Sequence, residues 1–140
     1  MAAIPGPESF FGFRPGSEQN IARWDKIVDY FYLLNQESDR IRVVNLGPST
    51  EENPFLLAII TSADNLANLN ELREINARIA DPRGLSEEEI DQLVEKGKVV
   101  VCQSMSLHAS EISATQMASE LAYDLVTGED ETTKRILDNT

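Results

Sequence analysis

Residues 98–111, Lys-Val-Val-Val-Cys-Gln-Ser-Met-Ser-Leu-His-Ala-Ser-Glu, constrain the fold more than any other stretch of this chain. A buried-type strand over Lys98–Met105 runs into His108, the single histidine, with Glu111 three positions later and a helical pattern directly after. Strand followed at once by helix is the grammar of α/β folds. Ligands collect at that junction, because strand ends leave a crevice and the turn can aim side chains into it. In an extended strand, residues three apart would point to opposite faces; in a turn they can converge. Imidazole nitrogen plus carboxylate oxygen is a donor pair that suits Zn²⁺. His108 and Glu111 are therefore expected to be two ligands of a metal site. Catalytic zinc takes three protein ligands and keeps one position for water. With one histidine and no cysteine close to it, the chain does not complete such a set.

Other readings of the same stretch are plainer. A lone histidine at a helix entrance can simply cap or pack, which leaves a non-enzymatic α/β interaction module as the alternative function. In that case an exposed sheet edge would recruit a partner strand. Ser104, Ser106 and Ser110 offer hydroxyls, but there is no G-x-S-x-G elbow and no second base, so serine chemistry is not expected. Cys102 lies inside the apolar run and is expected to be a buried thiol. Met105 and Met117 are expected in the core.

Length and charge bound the function. At 140 residues the chain is one domain or part of one, and 41% hydrophobic residues suffice for a core. A net charge of −12 argues against nucleic acid as partner, since phosphates would be repelled. No apolar run approaches the roughly 20 residues of a membrane span. The opening residues carry no basic and apolar regions of a signal peptide, and the compartment is left unassigned.

Residues 1–19, rich in Pro, Gly and Phe, read as an extended arm with Phe10, Phe11 and Phe13 free to pack on the body, which spans 20–140. Asn20 is expected to cap a helix carrying Ile21, Trp24, Ile27, Val28, Phe31 and Leu34, ending near Gln36. Arg40–Leu46 and Phe55–Thr61 read as strands, antiparallel because the link between them is short. Asp64 is expected to cap a helix that Pro82 terminates. Ser86 and Glu89 form a capping box for the next helix, which Gly97 closes as a C′ residue. Ser113 and Gln116 read as a second capping box, with Ala114, Met117, Ala118, Leu121, Ala122 and Leu125 facing inward. Gly128 stops that helix, and Thr132–Leu137 reads as the last one. The order α-β-β-α-α-β-α predicts a three-layer α/β domain, a mixed sheet flanked by helices. Three strands leave one apolar edge bare, so the domain is expected to be incomplete.

With those residues laid out, the chain resembles the zinc carboxypeptidases of the carboxypeptidase A type. The likeness rests on Ser106-Leu107-His108-Ala109-Ser110-Glu111-Ile112, similar to that family's H-x-x-E metal motif after an apolar strand. The helix with Trp24, Asp25, Tyr30 and Phe31 and the strand pair around Ser49-Thr50-Glu51-Glu52-Asn53-Pro54 resemble its opening elements. Residues 64–97, with Asp81-Pro82-Arg83-Gly84-Leu85-Ser86, resemble an insertion of larger, mostly bacterial members. Glu52-Asn53 departs from a Gly-Arg common in the family before this proline, and Ser110 from an arginine common before the glutamate. The resemblance implies an incomplete carboxypeptidase-like (phosphorylase/hydrolase-like) domain, with His108 and Glu111 as the first two Zn²⁺ ligands. It also implies a peptide or peptide-like substrate. The third ligand, the substrate-binding arginines and the general-base glutamate are implied downstream, in a remainder of the domain. On its own the chain is expected to be inactive.

Overall fold

The computed structural model describes residues 3–108 and 110–140. Met1 and Ala2 of the arm and Ala109 of the histidine motif lie outside the described residues. The elements run α1 (Pro7–Phe11), α2 (Trp24–Glu37), β1 (Ile41–Pro48), β2 (Pro54–Ile60), α3 (Ala63–Ala67), α4 (Leu69–Ala80), α5 (Glu87–Lys96), α6 (Ile112–Thr127) and α7 (Glu131–Asn139).

Apolar residues at helical spacing along α2 bury Ile27, Val28, Tyr30 and Leu34. Tyr30, Leu34, Ile41, Ala122 and Val126 form the centre of the core, which joins α2, the start of β1 and α6. Phe10 and Phe11 of α1 close it, with ring centroids 4.9 and 5.5 Å from Tyr30. The Tyr30 hydroxyl donates to the Pro5 carbonyl at 3.0 Å, so the arm is fastened by both apolar and polar contacts. Strands β1 and β2 pair antiparallel from Ile41↔Ile60 to Asn45↔Leu56, then slip at an irregularity between Asn45 and Pro48. Gly47 absorbs that slip at φ +116°, a conformation side chains resist. Val43, Ala58 and Ile60 face the core. On the opposite face Val44, Leu46, Phe55 and Leu57 are exposed, an apolar surface with no cover among the described residues.

Helix α6 is anchored at both ends. At its carboxyl end Arg40 donates to the carbonyls of Val126 (3.4 Å) and Gly128 (2.9 Å), and pairs with Glu129 at 2.7 Å. A cation there meets the negative end of the helix dipole. Hydrogen bonds from Lys134, then Arg40, hold the Glu129 carboxyl below its ordinary range. Nearer the amino end, the buried Gln116 amide clamps Ala22, accepting from its N–H (2.7 Å) and donating to its carbonyl (3.0 Å).

Several expectations need correction. The third strand, Lys98–Met105, is not formed: the segment has no ladder partner, and the sheet has two strands among the described residues. The result is a mixed α/β structure with a two-stranded antiparallel sheet, and a three-layer arrangement is not seen. Left uncovered, Cys102 is exposed, where a buried thiol was expected. The arm contains a short helix, α1, and is not wholly extended. Asn20 bonds to Ser17 and Glu18 in its own turn, and α2 starts at Trp24 instead. Ser62, not Asp64, caps the next helix, accepting from the Asn65 N–H. The Ser113–Gln116 box is absent because α6 starts at Ile112, with Ser113 already inside it, and the Gln116 amide bonds to Ala22. The buried residues of α6 are Gln116, Ser119, Ala122 and Val126, of which Ala122 was expected. Met117 is exposed and lines an open groove of about 360 Å³ between α6 and the arm. The Ser86–Glu89 box is present as expected. Gly97 does end α5, but at φ −62°, not in the left-handed region of a C′ glycine. A Cβ there would lie 2.9 Å from Ile79 Cδ1 and 3.2 Å from the Leu93 carbonyl, so the end of α5 packs closely on α4.

Gln116→Leu would leave the Ala22 N–H and carbonyl buried and unpaired, at a cost of about 2 kcal/mol. A urea melt checks this, and a loss under about 0.5 kcal/mol would overturn the clamp's role.

Burial pushes the Tyr30 hydroxyl well above the ordinary phenol range. The folded chain keeps that phenol neutral while the unfolded chain ionises it near pH ~10. This contribution is complete below that pH and is lost as pH rises toward the folded value. Tyr30→Phe should cost about 1 kcal/mol at neutral pH through the Pro5 bond. It should also flatten the alkaline decline of stability, read by circular dichroism. Equal declines in both proteins would contradict the assignment.

Candidate metal centre

The segment leading to His108 is tethered at its start. Asn76 donates its side-chain N–H to the Lys98 carbonyl (2.8 Å), and the Val99 N–H donates to the Asn139 carbonyl (3.0 Å). Beyond those tethers Val99, Val100 and Val101 are 64, 78 and 69% exposed. The chain then reverses at Ser106, whose φ of +73° lies in the left-handed region. For a residue with a Cβ that conformation costs roughly 1–2 kcal/mol, and local hydrogen bonds must offset it. Ser106 supplies them: its hydroxyl donates to the Glu111 carbonyl and lies 2.9 Å from the Thr115 hydroxyl. With the serine proton given to the carbonyl, Thr115 is the donor in the second bond.

His108 and Glu111, the two predicted ligands, stand in the turn so formed. The Glu111 N–H donates to the His108 carbonyl (2.9 Å), and the His108 N–H donates to Glu111 Oε2 (3.1 Å). Glu111 is also the N-cap residue of α6, yet its side chain makes no cap bond to that helix. It turns back over the loop. Both side chains are exposed. No hydrogen bond occupies the imidazole nitrogens or Glu111 Oε1 among the described residues. No ion pair engages Glu111 there either. A carboxylate oxygen carries two lone pairs, so even Oε2 keeps one beside the His108 N–H.

The donor set fits zinc in kind: one imidazole, one carboxylate, in one turn, with no competing cation on either. It does not fit in number. No group of three or more His, Cys, Asp or Glu side chains able to hold a metal exists among the described residues.

Ser106 and Thr115 shape the turn that carries His108 and Glu111 but escaped sequence reasoning, which weighed Ser106 only as a nucleophile. Their one sequence signal is a hydroxyl residue on each side of the H-x-x-E pattern, and serines and threonines are too common for that to stand out.

The family model described as zinc carboxypeptidase matches residues 27–140, and the chain belongs to that family. No curated protein and no solved structure matches it. The family is one of zinc metallopeptidases with carboxypeptidase activity, so the chain has a hydrolase origin and the family's chemistry uses zinc. No helix among the described residues is long and apolar enough to cross a membrane.

Glu111→Ala tests the loop geometry. It should speed hydrogen exchange at the His108 amide severalfold while global stability moves by less than about 0.5 kcal/mol, as for exposed sites generally. An unchanged exchange rate would mean the carboxylate does not sit on that amide.

Proposed function

We propose that the chain is the N-terminal part of a zinc-dependent metallocarboxypeptidase that hydrolyses C-terminal peptide or amide bonds, with His108 and Glu111 as two of its zinc ligands. The reciprocal bonding of these two residues in one turn, in a chain of the zinc carboxypeptidase family, carries this reading. When bound in such a site, zinc brings the pKa of its water to near 7 and polarises the carbonyl under attack. The part of this chain is to hold and orient: His108 offers a nitrogen, Glu111 an oxygen, and the strained turn keeps both at the head of α6. General base, third ligand and substrate-binding cations are assigned to the remainder of the catalytic domain. The bare apolar face at Val44, Leu46, Phe55 and Leu57, with the exposed valines at 99–101, supports such a remainder packing here. Alone, the chain is expected to cleave no peptide.

The exposed valine segment also favours a second reading, a non-enzymatic module that pairs this edge with a partner's strand while His108 has only a structural role. Isothermal titration separates the two. Zinc binding weaker than micromolar that disappears in His108→Ala is expected of the metallopeptidase fragment. Micromolar or tighter 1:1 binding that survives His108→Ala would overturn the assigned site, and no binding at all would favour the module. The coding sequence past Thr140 bears on it too: the enzyme reading expects an apolar strand, then a histidine, arginines and a glutamate.

A further inference from the structure

We propose that Ser106 and Thr115 are positioning residues for the metal centre, acting through the backbone of Glu111; the inference rests on the ligand reading of His108 and Glu111. Three observations meet at this point. Ser106 holds a left-handed φ of +73° although it is not glycine. Its hydroxyl donates to the carbonyl of Glu111, the proposed ligand. The same oxygen lies 2.9 Å from the hydroxyl of Thr115, in the first turn of α6. Together they make a relay from helix to loop: Thr115 to Ser106, Ser106 to the Glu111 carbonyl. That carbonyl and the Glu111 side chain share one Cα, so fixing the first restricts where the second can point.

A reason for the relay lies in what surrounds it. Residues 100–105 make no backbone ladder, and His108 and Glu111 are exposed, so packing does not hold the loop. The bond of the His108 N–H to Glu111 Oε2 turns with the carboxylate and cannot orient it alone. The hydroxyl pair is the one link among the described residues that joins the strand side of the turn to α6 through side chains. A glycine at position 106 would satisfy the dihedral angle without strain. Serine therefore brings a hydroxyl at a conformational cost, which is intelligible if the hydroxyl has a use.

Two variants isolate that use. Ser106→Gly keeps the φ and removes the hydroxyl. Thr115→Val keeps the shape and β-branching and removes the other hydroxyl. Each is compared with Thr115→Ser, which retains the donor, and with His108→Ala. Zinc chloride is titrated into the 140-residue chain, and binding is read locally from amide signals of residues 106–115 by ¹H–¹⁵N NMR. Local reading is needed because a chain of net charge −12 attracts cations elsewhere. Thermal melts run in parallel.

Partners that orient a metal ligand are typically worth 10–100-fold in affinity, so about tenfold weaker local binding is expected for Ser106→Gly and for Thr115→Val. Thr115→Ser should bind within about twofold of the parent. The melting temperature of Ser106→Gly should not fall, which a purely structural role would require. If His108→Ala abolishes local binding while both hydroxyl variants stay within twofold of the parent, the positioning role is wrong and the ligand reading stands. If His108→Ala leaves local binding intact, the ligand reading falls and the positioning role falls with it.

Discussion

The packing of α6 on α2 decides where His108 and Glu111 can stand. Tyr30 and Leu34 on one helix meet Ala122 and Val126 on the other around Ile41, and these are among the most buried side chains of the chain. Small Ala122 on the buried face of α6 leaves room for the bulk of Tyr30 and Leu34 on α2. Once that face is chosen, other attachments follow from it. Arg40, just ahead of β1, reaches the last carbonyls of α6, and Gln116 meets the backbone of Ala22. Glu111, one residue before the helix, is then carried to a fixed place by an element whose core contacts lie several turns away.

Local signals in the sequence translated well. The Ser86–Glu89 box needs no residue outside its own turn, so its pattern and its structure coincide. The hairpin was legible for a similar reason: a short polar link between two apolar stretches leaves antiparallel pairing as the economical solution. Ser113 and Gln116 obey the same box spacing, yet the Gln116 amide goes to Ala22, 94 residues away in sequence. A buried backbone pair with no other partner offers the glutamine more than an exposed helix end can. Spacing carries no information about such a competitor, so Gln116 was missed on the buried face of α6 and Met117 wrongly placed there, while Ala122 is buried as expected.

The candidate centre divides along the same line. His108 and Glu111 could be proposed from the chain alone because the identity of the donors and their separation are written in it. The hydroxyls that shape their turn were not, because a positive φ at a serine is a demand of the surrounding structure and is not a preference of the residue. Cys102 fails for a third reason. Its apolar neighbours predict burial only if something lies against them, and pattern reasoning supplies that cover by assumption.

An extended segment becomes a strand only by giving its N–H and carbonyl groups to a neighbour. Residues 98–105 have the composition for it, three successive valines included, yet beyond the bonds at Lys98 and Val99 they join no ladder among the described residues. The outer face of the hairpin repeats the theme at Val44, Leu46, Phe55 and Leu57. Both surfaces are apolar where a self-sufficient fold would place polar residues, and contiguous exposed apolar surface in a soluble protein ordinarily marks a contact. Net charge works in the other direction: at −12, copies of this chain repel one another, which disfavours covering these surfaces by self-association. Whatever covers the valines would also pin the strand side of the metal turn, which here is held at Lys98 and Val99 and then not again until Ser106. Under the proposed reading, a neighbour that paired with residues 98–105 would also steady the turn at His108 and Glu111, because one continuous segment joins the two.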